Sequence, residues 1–135
     1  MRVLRHSAAT ILASVCVIGS AAAEQMTAEE IRSFVSGKTL YVQTGAGSVT
    51  GTIGEGAIYL AEDGTGLYKT PSGAVWHGTW TIRDNSYCSN WKEGSKRACQ
   101  RFERQGDTVN SLDVETGQLR IKITKTVPGN AENLK

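Results

Sequence analysis

The stretch 87-YCSNWKEGSKRACQRF-102 gathers the groups best suited to chemistry: two cysteines, a tryptophan and a run of basic side chains. Four chemistries compete for it. A dithiol redox centre is expected as Cys-x-x-Cys, and Cys88 and Cys99 lie much farther apart. Zinc wants about four ligands, whereas the chain from Glu24 onward offers these two cysteines and a single histidine, His77. A nucleic-acid patch needs surplus cations, and Glu93 and Glu103 interrupt the basic run. The fourth chemistry is a stapled hairpin. A register that sets Cys88 against Cys99 also sets Tyr87 against Gln100 and Ser89 against Ala98, with residues 92–96 closing the loop. Tyr87, Ser89 and Trp91 then share a face with Gln100 and Phe102, and the disulfide lies on the other face. For an exported domain in an oxidising compartment, this is the reading to adopt.

Little else argues for catalysis. Any Ser-His-Asp or Cys-His mechanism would have to pass through His77, which alternates with Trp76 along a strand and reads as a surface residue. The segment 62-EDGTG-66 lacks the alternating ligands of a calcium loop and the lysine of a phosphate loop, so it reads as a hairpin turn. No metal or other cofactor is expected, and the chain is read as a non-enzyme. Aromatic residues offer a binding surface instead. Trp76 and Trp80 suit a barrel core, while Trp91 and Tyr87, close to the hairpin loop, suit either core packing or ligand contact. Trp91, Tyr87 and Trp76 form the candidate ligand-binding set.

The elements that position these groups begin after an export leader. Arg2 and Arg5 precede an apolar run from Ala8 to Ile18, and Ala21-Ala22-Ala23 reads as a cleavage site with Glu24 following. The run is too short to span a bilayer, and Val15 before Cys16 argues against lipid modification. Residues 1–23 are thus expected to be removed, leaving 24–135 as one mature periplasmic β-domain with no transmembrane segment. The formal net charge of +2 resides in Arg2 and Arg5. Without them the domain is neutral, which argues against nucleic acid as a partner.

Within the domain, Thr27 and Glu30 make a capping box that opens a short helix, with Met26 and Ile31 as its staple and Gly37 as its end. Strands are predicted near 38–43, 48–53, 57–61, 66–70, 74–83, 86–91, 97–104, 108–113 and 118–126, separated by turn chemistry. Five glycines between 44 and 56 weaken the second of these. Trp76, Gly78, Trp80 and Ile82 alternate onto one face of their strand. Leu119, Ile121 and Ile123 do the same on the last strand, with Arg120, Lys122 and Thr124 opposite. The predicted architecture is mainly β: a small antiparallel meander barrel or two-layer sandwich, lipocalin-like, with one short N-terminal helix and one disulfide.

The order of motifs resembles a family of small exported bacterial proteins, the domain of unknown function 995 family. The residues that carry it are 27-TAEEIRSFVSGKTLY-41, 58-IYLAEDGTGLYKTPSGAVWHGTWTI-82, Tyr87-Cys88, 98-ACQRF-102 and 127-VPGN-130. The resemblance implies an envelope protein linked to surface polysaccharide or envelope homeostasis, with an envelope glycan, lipid or protein as partner. A second resemblance is to periplasmic lysozyme inhibitors, carried by 72-SGAVW-76 and 91-WKEGSKRA-98. It implies that Ser72 and Lys92 or Lys96 would enter the acidic cleft of a partner.

Overall fold

Thr27 and Glu30 cap each other as the sequence predicts, Glu30 N–H donating to the Thr27 hydroxyl and Thr27 N–H to the Glu30 carboxylate. They open α1 (Ala28–Val35), which ends as Gly37 takes a left-handed φ of 70°. The structure is a computed structural model that describes residues 14–16 and 23–135. The predicted leader therefore lies almost wholly outside the described residues. A two-residue strand, β1 (Glu24–Gln25), precedes the helix. After the helix follow β2 (Lys38–Thr44), β3 (Gly54–Leu60), β4 (Thr65–Lys69), β5 (Val75–Arg83), β6 (Ser86–Trp91), β7 (Lys96–Gln105), β8 (Thr108–Asp113) and β9 (Leu119–Pro128).

Each strand from β2 to β9 pairs antiparallel with the next, and β9 returns to pair with β2. The result is a closed eight-stranded meander barrel of the lipocalin-like kind, not a two-layer sandwich. Closure leaves no free edge between β2 and β9. The short β1 borrows a length of β7 that β6 does not reach, pairing Glu24 with Arg104 and Gln25 with Glu103. Among the described residues, no helix is long and apolar enough to cross a membrane.

Alternation fills the barrel as expected. Leu40, Val42, Ile58, Leu60, Tyr68, Trp80, Tyr87, Trp91, Phe102, Val109, Ile121 and Ile123 form one buried cluster with Ile31 and Val35 of the helix. The helix plugs one end, its Phe34 ring meeting Phe102 edge-on at 6.4 Å between centroids. Trp91 owes its place to two glycines. Gly66 and Gly78 pair across β4 and β5, and a Cβ on either would press into the Trp91 indole. The bare backbone at these positions is the slot the ring fills.

The sequence expectation fails at two places. Residues 48–53 are not a strand: the chain turns repeatedly from Gly45 to Ile53, and pairing with β2 begins only at Gly54. Local hydrogen bonds win over a ladder here, with the Thr44 hydroxyl donating to the Thr52 carbonyl at 2.6 Å and Ser48, Thr50 and Thr52 linked through their hydroxyls. The second failure is the facing of the last strand. Ile121 and Ile123 point inward, but Leu119 is exposed. Ser111 pairs with Ile121 and the next residue, Leu112, with Leu119, so Arg120 is the extra residue of a β-bulge. Bulges re-aim side chains at barrel rims, and Arg120 turns toward the interior.

Beyond β9 the chain does not leave the barrel. Gly129 N–H donates to the Gly37 carbonyl, the Thr39 hydroxyl donates to the Gly129 carbonyl at 2.7 Å, and Ala131 N–H donates to the Thr39 hydroxyl oxygen at 3.0 Å. The segment thus lies along the outside of β2 to β5. Thr39 and Ala57, which point outward, are buried all the same, as is Leu134.

Candidate functional site

The stapled hairpin forms in the predicted register. Cys88 pairs with Cys99, Tyr87 with Gln100 and Ser89 with Ala98, and Cys88 and Cys99 are joined by a disulfide. As expected, Tyr87, Ser89, Trp91, Gln100 and Phe102 face inward and are buried, and the disulfide lies outside. It forms the floor of a surface trough of about 260 Å3.

The trough's walls follow from register. Thr81 stands beside Cys88, and Thr79 beside Asn90, which in turn pairs with Arg97. Arg83, two positions beyond Thr81 on the same outward row, closes the far end. Two guanidinium groups therefore flank a floor of disulfide sulfur, threonine hydroxyls and an asparagine amide. Among the described residues neither arginine is in an ion pair, in contrast to Arg101 with Glu103 and Arg120 with Asp113. An acid group entering the trough meets cations that have no other partner, and bidentate geometry favours arginine for that task.

The candidate ligand-binding aromatics go elsewhere. Trp91 is 2% exposed and Tyr87 3%, and both line the inside of the barrel with Tyr68, Gln100 and Arg120. Trp76 is half-buried at the rim, its ring edge-on to Tyr68 at 6.1 Å. Core packing is thus the place of Trp91 and Tyr87. The interior void they line measures about 20 Å3, room for a single water. Burial pushes the Tyr87 hydroxyl's pKa well above its ordinary value, the Ser89 hydroxyl opposing and Tyr68 adding to the rise.

Ser72 is exposed in the β4–β5 turn, its hydroxyl 2.9 Å from that of Thr70. Lys92 and Lys96 are exposed at the β6–β7 hairpin. Both turns project from the end of the barrel opposite the helix. One rim thus carries all three residues singled out by the lysozyme-inhibitor resemblance. Lys92 N–H also donates to the His77 carbonyl, fastening the hairpin to β5.

His77 is less bland than its sequence suggests. Its Nδ1 bonds the Glu93 carboxylate, its backbone N–H donates to the same carboxylate, and its Nε2 lies 3.0 Å from the Lys135 carbonyl oxygen. The Glu93 carboxylate raises the histidine's pKa above its ordinary value, and His77 holds that of Glu93 down. The ring therefore ties the hairpin loop to the segment that crosses the outer wall. Both ring nitrogens are engaged, which leaves neither free to take a proton from a substrate.

Sequence reasoning missed Arg83, Arg97, Arg120 and Tyr68 as site residues. Arg97 was within reach, because the register that pairs the cysteines also puts it opposite Asn90 on the disulfide face. Arg83 follows from alternation with Thr79 and Thr81. Arg120 had no local sign, since only pairing reveals a bulge. No family model, curated protein or solved structure matches the chain. Among the described residues, no group of three His, Cys, Asp or Glu side chains is placed to hold a metal ion.

Proposed function

We propose that the domain is a non-enzymatic protein of the bacterial periplasm that binds an acidic envelope glycan in the trough over the disulfide. The carrying observation is the pair of unpartnered arginines, Arg83 and Arg97, set at the two ends of a trough whose floor offers hydroxyl and amide groups. Sugar hydroxyls suit Thr79, Thr81 and Asn90, and uronate or phosphate groups suit the guanidinium ends. A staple across the floor holds these groups in place before binding, which lowers the ordering cost. The resemblance to exported envelope proteins supports the compartment and the class of ligand. A lipid within the barrel is disfavoured, since side chains fill it.

The experiment is calorimetric titration of residues 24–135 with an oligogalacturonate and with its fully methyl-esterified form. Binding of the acidic chain only, weakened about tenfold or more by Arg83→Ala or Arg97→Ala, supports the reading, and the oligosaccharide should be recovered at its original length. Equal affinity for the neutral chain, or indifference to both substitutions, would sink it.

A further inference from the structure

A second polar site lies beneath the loop 45–53, at the barrel mouth. Three observations converge on it. The first is an orphan: Tyr68 is 1% exposed, yet among the described residues its hydroxyl has no hydrogen-bond partner. The Thr50 hydroxyl of the loop is near enough to oppose the burial that raises the phenol's pKa, but no hydrogen bond forms. Buried hydroxyls are seldom left this way. The second is Arg120, carried by its bulge to the same void. One terminal nitrogen donates to Asp113 Oδ2 at 2.7 Å and the other to the Gly47 carbonyl at 2.5 Å, while its buried Nε–H is unpartnered. The third is the lid. Val49 lines the void from above, most of the loop's other hydrogen bonds stay within the loop and its hinge at Thr44, and Gly47 sits so close to Gln118 and the Leu119 carbonyl that a Cβ there would meet both below 3 Å.

We infer that the barrel mouth is a latched binding site for a small carboxylate, in which the ligand takes the Tyr68 hydroxyl and the Arg120 Nε–H while Val49 and the loop lift away. A carboxylate fits because both orphans are donors, and it is the common group that offers two acceptor oxygens and no donor. The latch and the site share one residue. A terminal nitrogen of Arg120 holds the Gly47 carbonyl when the mouth is closed, and a carboxylate can reach the Nε–H of the same guanidinium only in the volume Val49 leaves, so binding and opening are coupled. Asp113 is the positioning residue: it fixes one terminal nitrogen of the guanidinium and leaves the buried Nε–H unpaired. In the closed barrel the void takes one water, and the volume for a ligand's carbon chain is the volume Val49 vacates. This site is independent of the outer trough, which lies on the other side of the β5–β7 wall.

The test is a titration of the whole domain with propionate, followed by backbone and aromatic NMR, with propionamide as the neutral control. Saturable shifts at Gly47, Val49 and Tyr68 with propionate alone support the site. Two substitutions separate binding from folding. Tyr68→Phe removes a hydroxyl that bonds nothing in the closed barrel, so the fold should persist while propionate binding weakens about tenfold or more. Gly47→Ala undocks the lid and should tighten binding, because less of the protein is held in the closed state. Shifts that fail to saturate, equal shifts with propionamide, or unchanged affinity in Tyr68→Phe each overturn the proposal.

Discussion

The wall built by β5, β6 and β7 and the mouth covered by loop 45–53 are both polar surfaces with arginines, yet they are held by opposite means. In the wall, the residues of β6 from Tyr87 to Trp91 are paired on both sides, a disulfide crosses the outer face, and Trp91 fills a glycine slot on the inner one. At the mouth, the cover is a loop without ladder bonds whose ties to the barrel are the Thr44 hydroxyl at its hinge, one guanidinium, one valine and one close glycine contact. The wall presents free cations on a rigid frame. The mouth consumes its cation in holding itself shut. Rigid presentation suits a ligand that stays outside, and a latch suits one that must be let in.

The contrast is broken most severely from the inside of the wall. Trp91→Ala should cost about 3–5 kcal/mol, because it empties the space between Gly66 and Gly78 that no neighbouring side chain can reach. Val49→Ala at the mouth should cost less than about 1 kcal/mol, since its site is half open already. Urea unfolding of both variants gives the comparison directly, and similar losses would mean the mouth is as firmly packed as the wall. The double substitution Cys88→Ser with Cys99→Ser comes next. The closed loop is short, with a sequence separation of 11, and chain entropy puts the loss at about 3 kcal/mol. It should also weaken oligogalacturonate binding in the trough while leaving propionate shifts at Tyr68 intact. If the reduced wall binds the glycan as well as the oxidised one, preorganisation by the staple is not what the trough relies on.

Much of this was readable from residue types alone, and the exceptions share a cause. The capping box, the cysteine register, and the inward facing of Tyr87, Trp91 and Phe102 follow from local chemistry or from strict alternation, so the sequence displays them. The sandwich alternative falls only once β9 pairs with β2, a contact between opposite ends of the domain. Residues 48–53 look like a strand because Val49 and Ile53 flank threonines, but hydroxyl-to-backbone bonds among Thr44, Ser48, Thr50 and Thr52 satisfy the chain locally. Arg120 looks like a surface residue because alternation assumes an unbroken ladder, and one inserted residue reverses the facing of everything N-terminal to it on the strand. The trough was half legible: its floor is the predicted disulfide, while its significance rests on which arginines lack partners, and only tertiary structure decides that.

The mildest effect sharpens the comparison by pH. Arg120, together with backbone N–H groups of Thr116 and Glu115, holds the Asp113 carboxyl down at about 2 from an ordinary 3.8. A carboxyl whose pKa is depressed in the closed form stabilises that form fully above about 3.8, and the contribution is lost as pH falls from there through about 2. Protonation leaves Arg120 without its anchor, and with it the tie to Gly47. In the β6–β7 wall the staple is covalent, and the carboxylate whose pKa is likewise held down, Glu93, lies in the hairpin loop beyond Trp91. Hydrogen-exchange protection of the amides of residues 45–53 should therefore drop roughly tenfold more than that of Tyr87 to Trp91 on going from about pH 5 to pH 2. In Asp113→Asn the mouth should be loose already at neutral pH and that differential drop should vanish. Equal acid sensitivity of wall and mouth would show that Asp113 supports the barrel as a whole, and the latch would then have to be sought in Val49 and the Gly47 contact alone.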